Sequence, residues 1–313
     1  MSVKSAILKV APSSVEHWLR DSLYRRNCKL EPSQYRAALE QWYKLSVGRE
    51  CNLDDPKTFG EKLQWLKLYD STPLKGKLAD KFTVREWVAD KLGRDISIPC
   101  LGDWKRVEDI DYDSLPDKFV LKATHGSKWN VIVEDKSALD IEETNKKLAE
   151  WLTRRTAMSG GFEMHYEFCE PRIIAEQYMA DDSGGLRDYK FVAINGEVQF
   201  VLAIEGRFHD EFRCVYYTDW TKTPFTYGAK VDQSQDFAKP ESFDEMLGYA
   251  KILSEGFPFV RVDFYEIDGK PYFGEMTFTP ANGLAGFSPE SYDLEYGNKL
   301  ILPEKKPFKG MML

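Results

Sequence analysis

The stretch RVDFYEIDGKPYFGEMTFTP, residues 261–280, sets two apolar-aromatic runs on either side of an Asp-Gly pair, the pattern of a β-hairpin. Each run nevertheless carries a carboxylate in its middle, Asp263 and Glu275. Alternate residues of a strand share a face. The even positions Val260, Val262, Phe264, Tyr272, Met276 and Phe278 give an apolar face broken only by Gly274. The odd positions give a polar one with Arg261, Asp263, Glu275 and Thr277, joined by Tyr265 and Phe273. The two acids lie opposite each other only if the loop has an odd length, such as Asp268-Gly269-Lys270 with Gly269 left-handed. Like charges so placed need something positive between them. Two readings fit. In one, Arg261 neutralises both acids on a solvated antiparallel face. In the other, the carboxylates and the Thr277 hydroxyl are hard oxygen ligands for a Mg²⁺ that keeps several waters and shares phosphate oxygens. Aromatic cover from Phe273 and Tyr265 favours a cleft, and the metal reading requires a nucleotide.

Working outward, lysines interrupt two apolar strands, Lys122 in FVLKATHGS and Lys190 in DYKFVAING. A lysine in such a run either pairs with an acid or sends its head into a cleft. After Lys122 comes the turn His125-Gly126-Ser127, whose backbone N–H groups can meet phosphate oxygens. A Walker loop, GxxxxGK[ST], is absent. The strand PRIIAEQYM ends in Glu176 and offers the backbone of Gln177 and Met179 to a base edge.

The rest of the chain mixes helices and strands without strict alternation, which predicts an α+β assembly of antiparallel sheets. VEHWLRDSLYRR is helical in period, with Ser13 and Glu16 at capping-box spacing. Further helices are expected from Pro32, from Pro56, in ADKFTVREWVADKLG up to Gly93, in DIEETNKKLAEWLTRR after Asp140, and in ESFDEMLGYAKILSEGF. Asn195-Gly196 marks a second hairpin. Net charge is -8, against the basic footprint that a nucleic-acid binder needs. Neither the five scattered cysteines nor the four histidines have zinc-site spacing. No apolar run approaches a membrane span, and MSVKSAILKVAPSS reads as neither signal peptide nor anchor, so a cytoplasmic location is expected.

Taken in order, LADKFTVREWV, FVLKATHGSKWN, PRIIAEQYM, DYKFVAING and RVDFYEIDGKPYFGEMTFTP, with PKTFGEKLQWLKLYD upstream, resemble the TupA-like ATP-grasp family of bacterial teichuronopeptide and surface-polysaccharide biosynthesis. The resemblance covers roughly residues 50–300. It implies two α+β subdomains gripping ATP between antiparallel sheets, residues 76–313, with a helical extension at 1–75, a small lid at about 116–180 and a metal-binding part at 181–313. It implies that Lys122 and Lys190, with Lys81 as a third, contact ATP phosphates, under a mobile loop of His125, Gly126 and Ser127. Glu176, Gln177 and Met179 would hold adenine, and Asp182 would reach the ribose. Asp263, Glu275 and Thr277 would bind Mg²⁺, and Arg261 and Lys190 would serve the transferring phosphoryl group. One departure is that the superfamily's Glu-x-Asn metal pair stands here as Glu275-Met276-Thr277, with Asn282 as an alternative amide donor. The implied activity is amide formation through an acylphosphate, joining an amine or amino acid to a uronic-acid-type carboxylate. A kinase or sugar-modifying transferase on the same fold is the alternative. His165 and Tyr166 stand just before the Glu176 strand as candidates to face the acceptor. Oligomeric state stays open.

Overall fold

The computed structural model describes residues 13–180, 186–206 and 211–313, and side chains from residue 18 onward. Asp182 and the chain start lie outside the described residues, as do the side chains of Ser13 and Glu16.

The hairpin pairs β9 (Phe259–Ile267) with β10 (Lys270–Thr277) through a two-residue loop, not three, since Lys270 lies opposite Ile267. Asp268 and Gly269 take φ of 51° and 68°, as a two-residue turn with both positions left-handed requires. Such a loop alone would put Asp263 and Glu275 out of register. A β-bulge between Phe273 and Glu275 corrects this, so that Glu275 faces Asp263 and Thr277 faces Arg261. The bulge also moves Phe273 off the polar face: it is buried and packs edge-on against Phe264. Gly274 sits at the bulge with an added Cβ only 3.0 Å from the Asp263 carbonyl oxygen and 3.1 Å from the Tyr265 ring. Since the nearer neighbour is backbone, Gly274→Ala is expected to cost about 1–3 kcal/mol in chemical denaturation.

Five antiparallel strands form the large sheet, in the order β10-β9-β5-β6-β7, with β5 (Arg187–Ile194), β6 (Glu197–Glu205) and β7 (Phe212–Tyr216). Asn195-Gly196 makes the β5–β6 turn. One face of this sheet, with Phe191, Val260, Val262 and Phe264, shares a core with α5 (Val84–Leu92) and α7 (Phe243–Ser254). The opposite face, with Val192, Ile194 and Phe259, shares a core with α2 (Tyr35–Val47), α3 (Phe59–Tyr69) and α8 (Ser291–Lys299). Each large apolar side chain so buried contributes about 1.5–3 kcal/mol. The N-terminal helices therefore share a core with the sheet. They are α1 (Ser13–Asn27), α2 and α3, followed by α4 (Pro73–Ala79).

Helix α3 starts after Thr58, which accepts from Glu61 N while Glu61 accepts from Thr58 N, a capping box two residues beyond Pro56. Pro32 opens a short 3-10 turn ahead of α2. The small sheet, order β1-β4-β2-β3, joins β2 (Phe119–Ala123), β3 (Asn130–Val133) and β4 (Ile173–Gln177) with β1 (Cys100–Trp104), an edge strand upstream of residue 116. Helix α6 (Ile141–Thr153), capped by Asp140, packs on it through Leu148. β8 (Thr226–Tyr227) and β11 (Phe287–Ser288) pair separately. No described helix is long and apolar enough to cross a membrane.

Candidate nucleotide and metal site

The register of the large sheet sets three charged residues in a row across neighbouring strands: Lys190 on β5 faces Asp263 on β9, which faces Glu275 on β10. Lys190 Nζ lies 2.5 Å from Asp263 Oδ2 and 3.5 Å from Asp188 Oδ1. Arg261 donates to both oxygens of Asp263, from Nε at 2.7 Å and from one terminal nitrogen at 2.6 Å. That same nitrogen reaches Glu275 Oε1 at 3.2 Å and Thr277 Oγ1 at 3.1 Å. The positive group between the acids is thus Arg261. Burial disfavours its charge, yet Asp263 and then Glu275 outweigh burial and hold the guanidinium more firmly protonated than usual.

Asp263 is 1% exposed, whereas the Glu275 side chain keeps 37% of its surface. The row therefore runs from a closed end to an open one. The donor set suits a hard cation: two carboxylates on adjacent strands with a hydroxyl beside them. Among the described residues no group of three or more His, Cys, Asp or Glu forms a metal cage. Mg²⁺ there would take the two carboxylates and fill its remaining positions with water and phosphate.

A second cluster lies on the small sheet. Lys122 Nζ and a terminal nitrogen of Arg85 each sit 2.5 Å from a different oxygen of Glu176, and Arg85 also donates to Ile98 O at 2.6 Å. Burial opposes the Glu176 charge, but Lys122 and Arg85 prevail and its carboxyl is held below the ordinary range. Gln177 N–H donates to Pro99 O at 3.0 Å, and Met179 lies half-buried beyond the strand end. In the loop after Lys122, Ser127 is exposed while His125 is buried, stacked edge-on with Trp129 and donating from Nε2 to Trp151 O at 3.1 Å. Lys81 Nζ holds this loop through Gly126 O at 2.5 Å. Gly126 is required by close approach, since a Cβ there would stand 2.4 Å from the Trp129 indole. Lys81, Lys122 and the loop are thus brought together with Arg85, which the sequence did not single out.

The acceptor candidates separate. His165 is buried, 5.8 Å from Phe278 ring to ring, and burial with Lys75 and Lys67 nearby pushes it down to about 3, so it is neutral. Tyr166 stays half-buried within the fields of Glu163, Glu275 and Arg261. Asn282 Oδ1 accepts from Lys67 Nζ at 2.6 Å and its amide donates to Gly160 O at 2.8 Å, so it is committed away from the acids. Lys67 and Glu163 were also missed. A signal for Lys67 was present: FGEKLQWLKLY spreads Phe59, Leu63, Trp65, Leu66, Leu68 and Tyr69 over more than one side of a helix, which implies burial of more than one face.

No curated protein sequence matches the chain. Among solved structures, D-alanine–D-alanine ligase from Bacillus anthracis complexed with ATP is similar at 15% identity and TM-score 0.39, over 71% of this chain and 61% of that one. D-alanine–D-alanine ligase from Helicobacter pylori is similar at 14% identity and TM-score 0.40, over 73% and 59%. Phosphoribosylamine–glycine ligase from Thermotoga maritima is similar at 13% identity and TM-score 0.40, over 67% and 50%. The chain thus spans about half to three-fifths of the length of these three proteins. The family profile of TupA-like ATP-grasp covers residues 61–301, from within α3 to just past α8. With its antiparallel α+β fold and that match over more than three quarters of its length, the chain belongs to the TupA-like ATP-grasp family.

Proposed function

We propose that the chain is a carboxylate–amine ligase that activates a uronic-acid-type carboxylate as an acylphosphate and passes it to an amine or amino acid, in bacterial surface-polysaccharide biosynthesis and in the cytoplasm. The observation that carries this is the row Lys190, Asp263 and Glu275 with Arg261 across it: fixed cations and hard oxygen donors, with no protein nucleophile among them. Phosphoryl transfer asks a protein for positioning and charge stabilisation, which is what such a row supplies. Bound at Asp263 and Glu275, Mg²⁺ would offset phosphate charge. Lys190 and Arg261 meet the charge on the transferring group, and Asp263 holds both cations in place. Lys122, Lys81 and the His125-Gly126-Ser127 loop cover the remaining phosphates, while Glu176, Gln177 and Met179 border the nucleoside.

Hydroxylamine trapping tests the reading. A ligase yields ATP- and Mg²⁺-dependent hydroxamate from glucuronic or galacturonic acid. A stable phosphorylated sugar without hydroxamate establishes the alternative, a sugar kinase on this fold.

A further inference from the structure

The polar face of the hairpin does not end at Thr277. Two residues on, buried Thr279 donates its hydroxyl to Glu163 Oε1. Glu163 immediately precedes the 3-10 turn Met164–Phe168. Thr279 follows the strand that carries Glu275, so one side chain ties the two segments together. Lys67 approaches from α3: its Nζ donates to Gln64 Oε1 at 2.7 Å, Asn282 O at 2.6 Å and Asn282 Oδ1 at 2.6 Å, and lies 4.6 Å from the Trp42 ring centroid. All three of its N–H groups are thereby used. It can lend Glu163 a nearby positive charge but has no donor left for a substrate anion.

Thr279 joins Glu163 to the chain just beyond the strand that carries Glu275 and Thr277. Tyr166, one turn on, feels the charges of Glu163, Glu275 and Arg261 together. Glu163 and Tyr166 both keep part of their surface open, unlike His165 between them. The other ionisable groups nearby are committed, Lys75 to Asp70 at 2.5 Å and Lys67 to Asn282. Glu163 is therefore a carboxylate tied by Thr279 to the end of the hairpin's polar face, within the electrostatic reach of Lys67 and Tyr166.

We propose that Glu163 is the general base for the amine substrate, an inference that rests on the ligase reading above. An amine arrives as an ammonium ion and must lose a proton before it can attack. One N–H proton passes to the Glu163 carboxylate, and the freed lone pair forms the C–N bond at the acylphosphate carbonyl. The C–O bond to phosphate breaks, and the departing phosphate takes the second proton as hydrogen phosphate. The products are amide, hydrogen phosphate and neutral Glu163, so protons and charge balance. Burial raises the Glu163 carboxyl against the pull of Lys67 and Thr279, which makes it a stronger base than an exposed glutamate.

The test separates the two half-reactions. Hydroxylamine is largely unprotonated at neutral pH and needs no base, whereas glycine, alanine and lysine do. With whichever of glucuronic or galacturonic acid the wild-type chain converts to hydroxamate, E163Q is expected to keep hydroxamate formation within about twofold and to lose amide formation by about 10²-fold. E163D, which retains the charge but withdraws it by one methylene, is expected to fall between and serves if E163Q does not fold. A role confined to packing would depress both half-reactions equally, and that outcome overturns the proposal. So does undiminished amide formation. Absence of hydroxamate from the wild-type chain with either acid overturns the ligase reading itself, and the two failures are thus distinguishable.

Discussion

Asp263→Asn is expected to lower ATP turnover by about 10²- to 10⁴-fold while the chain still folds. Asp263 does two jobs, as countercharge to Arg261 and Lys190 and as the buried oxygen donor proposed for Mg²⁺. Removing a buried acid from one partner costs about 3–5 kcal/mol when nothing else balances the charge. Here something does: Arg261 keeps Glu275 at 3.2 Å and Lys190 keeps Asp188 at 3.5 Å. The stability loss should therefore fall below that range, at about 1–3 kcal/mol. Glu275→Gln makes the informative contrast. Its side chain is more than one-third exposed and meets Arg261 at the longer distance, so its ion pair is worth at most about 1 kcal/mol. Equal losses of turnover from two variants with unequal losses of stability would mark both acids as functional. If turnover per folded molecule instead survives in both, the hairpin acids only neutralise Arg261. Steady-state ATP hydrolysis and urea denaturation on the same preparations decide between these results.

How far the sequence reached is clearest at the hairpin. Period two correctly placed Arg261, Asp263, Glu275 and Thr277 on one face, because that face differs chemically from the one below it. The loop length, Phe273 and Tyr272, which lies opposite Tyr265, were misplaced for one reason. A three-residue loop and a two-residue loop followed by a bulge produce the same opposition of Asp263 and Glu275, and a count of alternation cannot tell them apart. Gly274, the single gap in the apolar face, was the sign of the bulge. The lysines were legible as a choice between pairing and cleft, and both took acids: Lys190 took Asp263 and Lys122 took Glu176. Arg85 and Glu163 were not legible, since each gains its meaning from a partner 91 and 116 residues away, respectively. His125 was read with its loop, yet its ring turns inward to Trp129 and Trp151, a side-chain direction that a turn motif does not encode.

Glu176→Ala is expected to destabilise the chain by about 3–5 kcal/mol, the cost of leaving buried cations without their acid. The carboxylate is 7% exposed, and its two oxygens are taken separately by Lys122 and Arg85. Arg85 comes from α5, whose core lies on the large sheet, while Lys122 and Glu176 belong to the small one. One carboxylate thus pins two structural layers together. Its loss differs from that of Asp263, because neither Lys122 nor Arg85 has a second acid within ion-pair distance among the described residues. Arg85 retains only the Ile98 carbonyl. Removing the lysine as well should relieve part of the penalty, so Lys122→Met combined with Glu176→Ala is expected to be less destabilised than the sum of the single variants by at least about 1 kcal/mol. The coupling also bears on the nucleotide. If Lys122 serves ATP phosphates, it must leave Glu176 to do so, and Lys122→Met is expected to lose part of the stabilisation that Mg-ATP gives the wild-type chain. Thermal unfolding of the four chains with and without Mg-ATP measures both quantities. A single-variant loss under about 1 kcal/mol, with additive doubles, would show the triad to be solvent-screened and Glu176 available to a ligand as it stands.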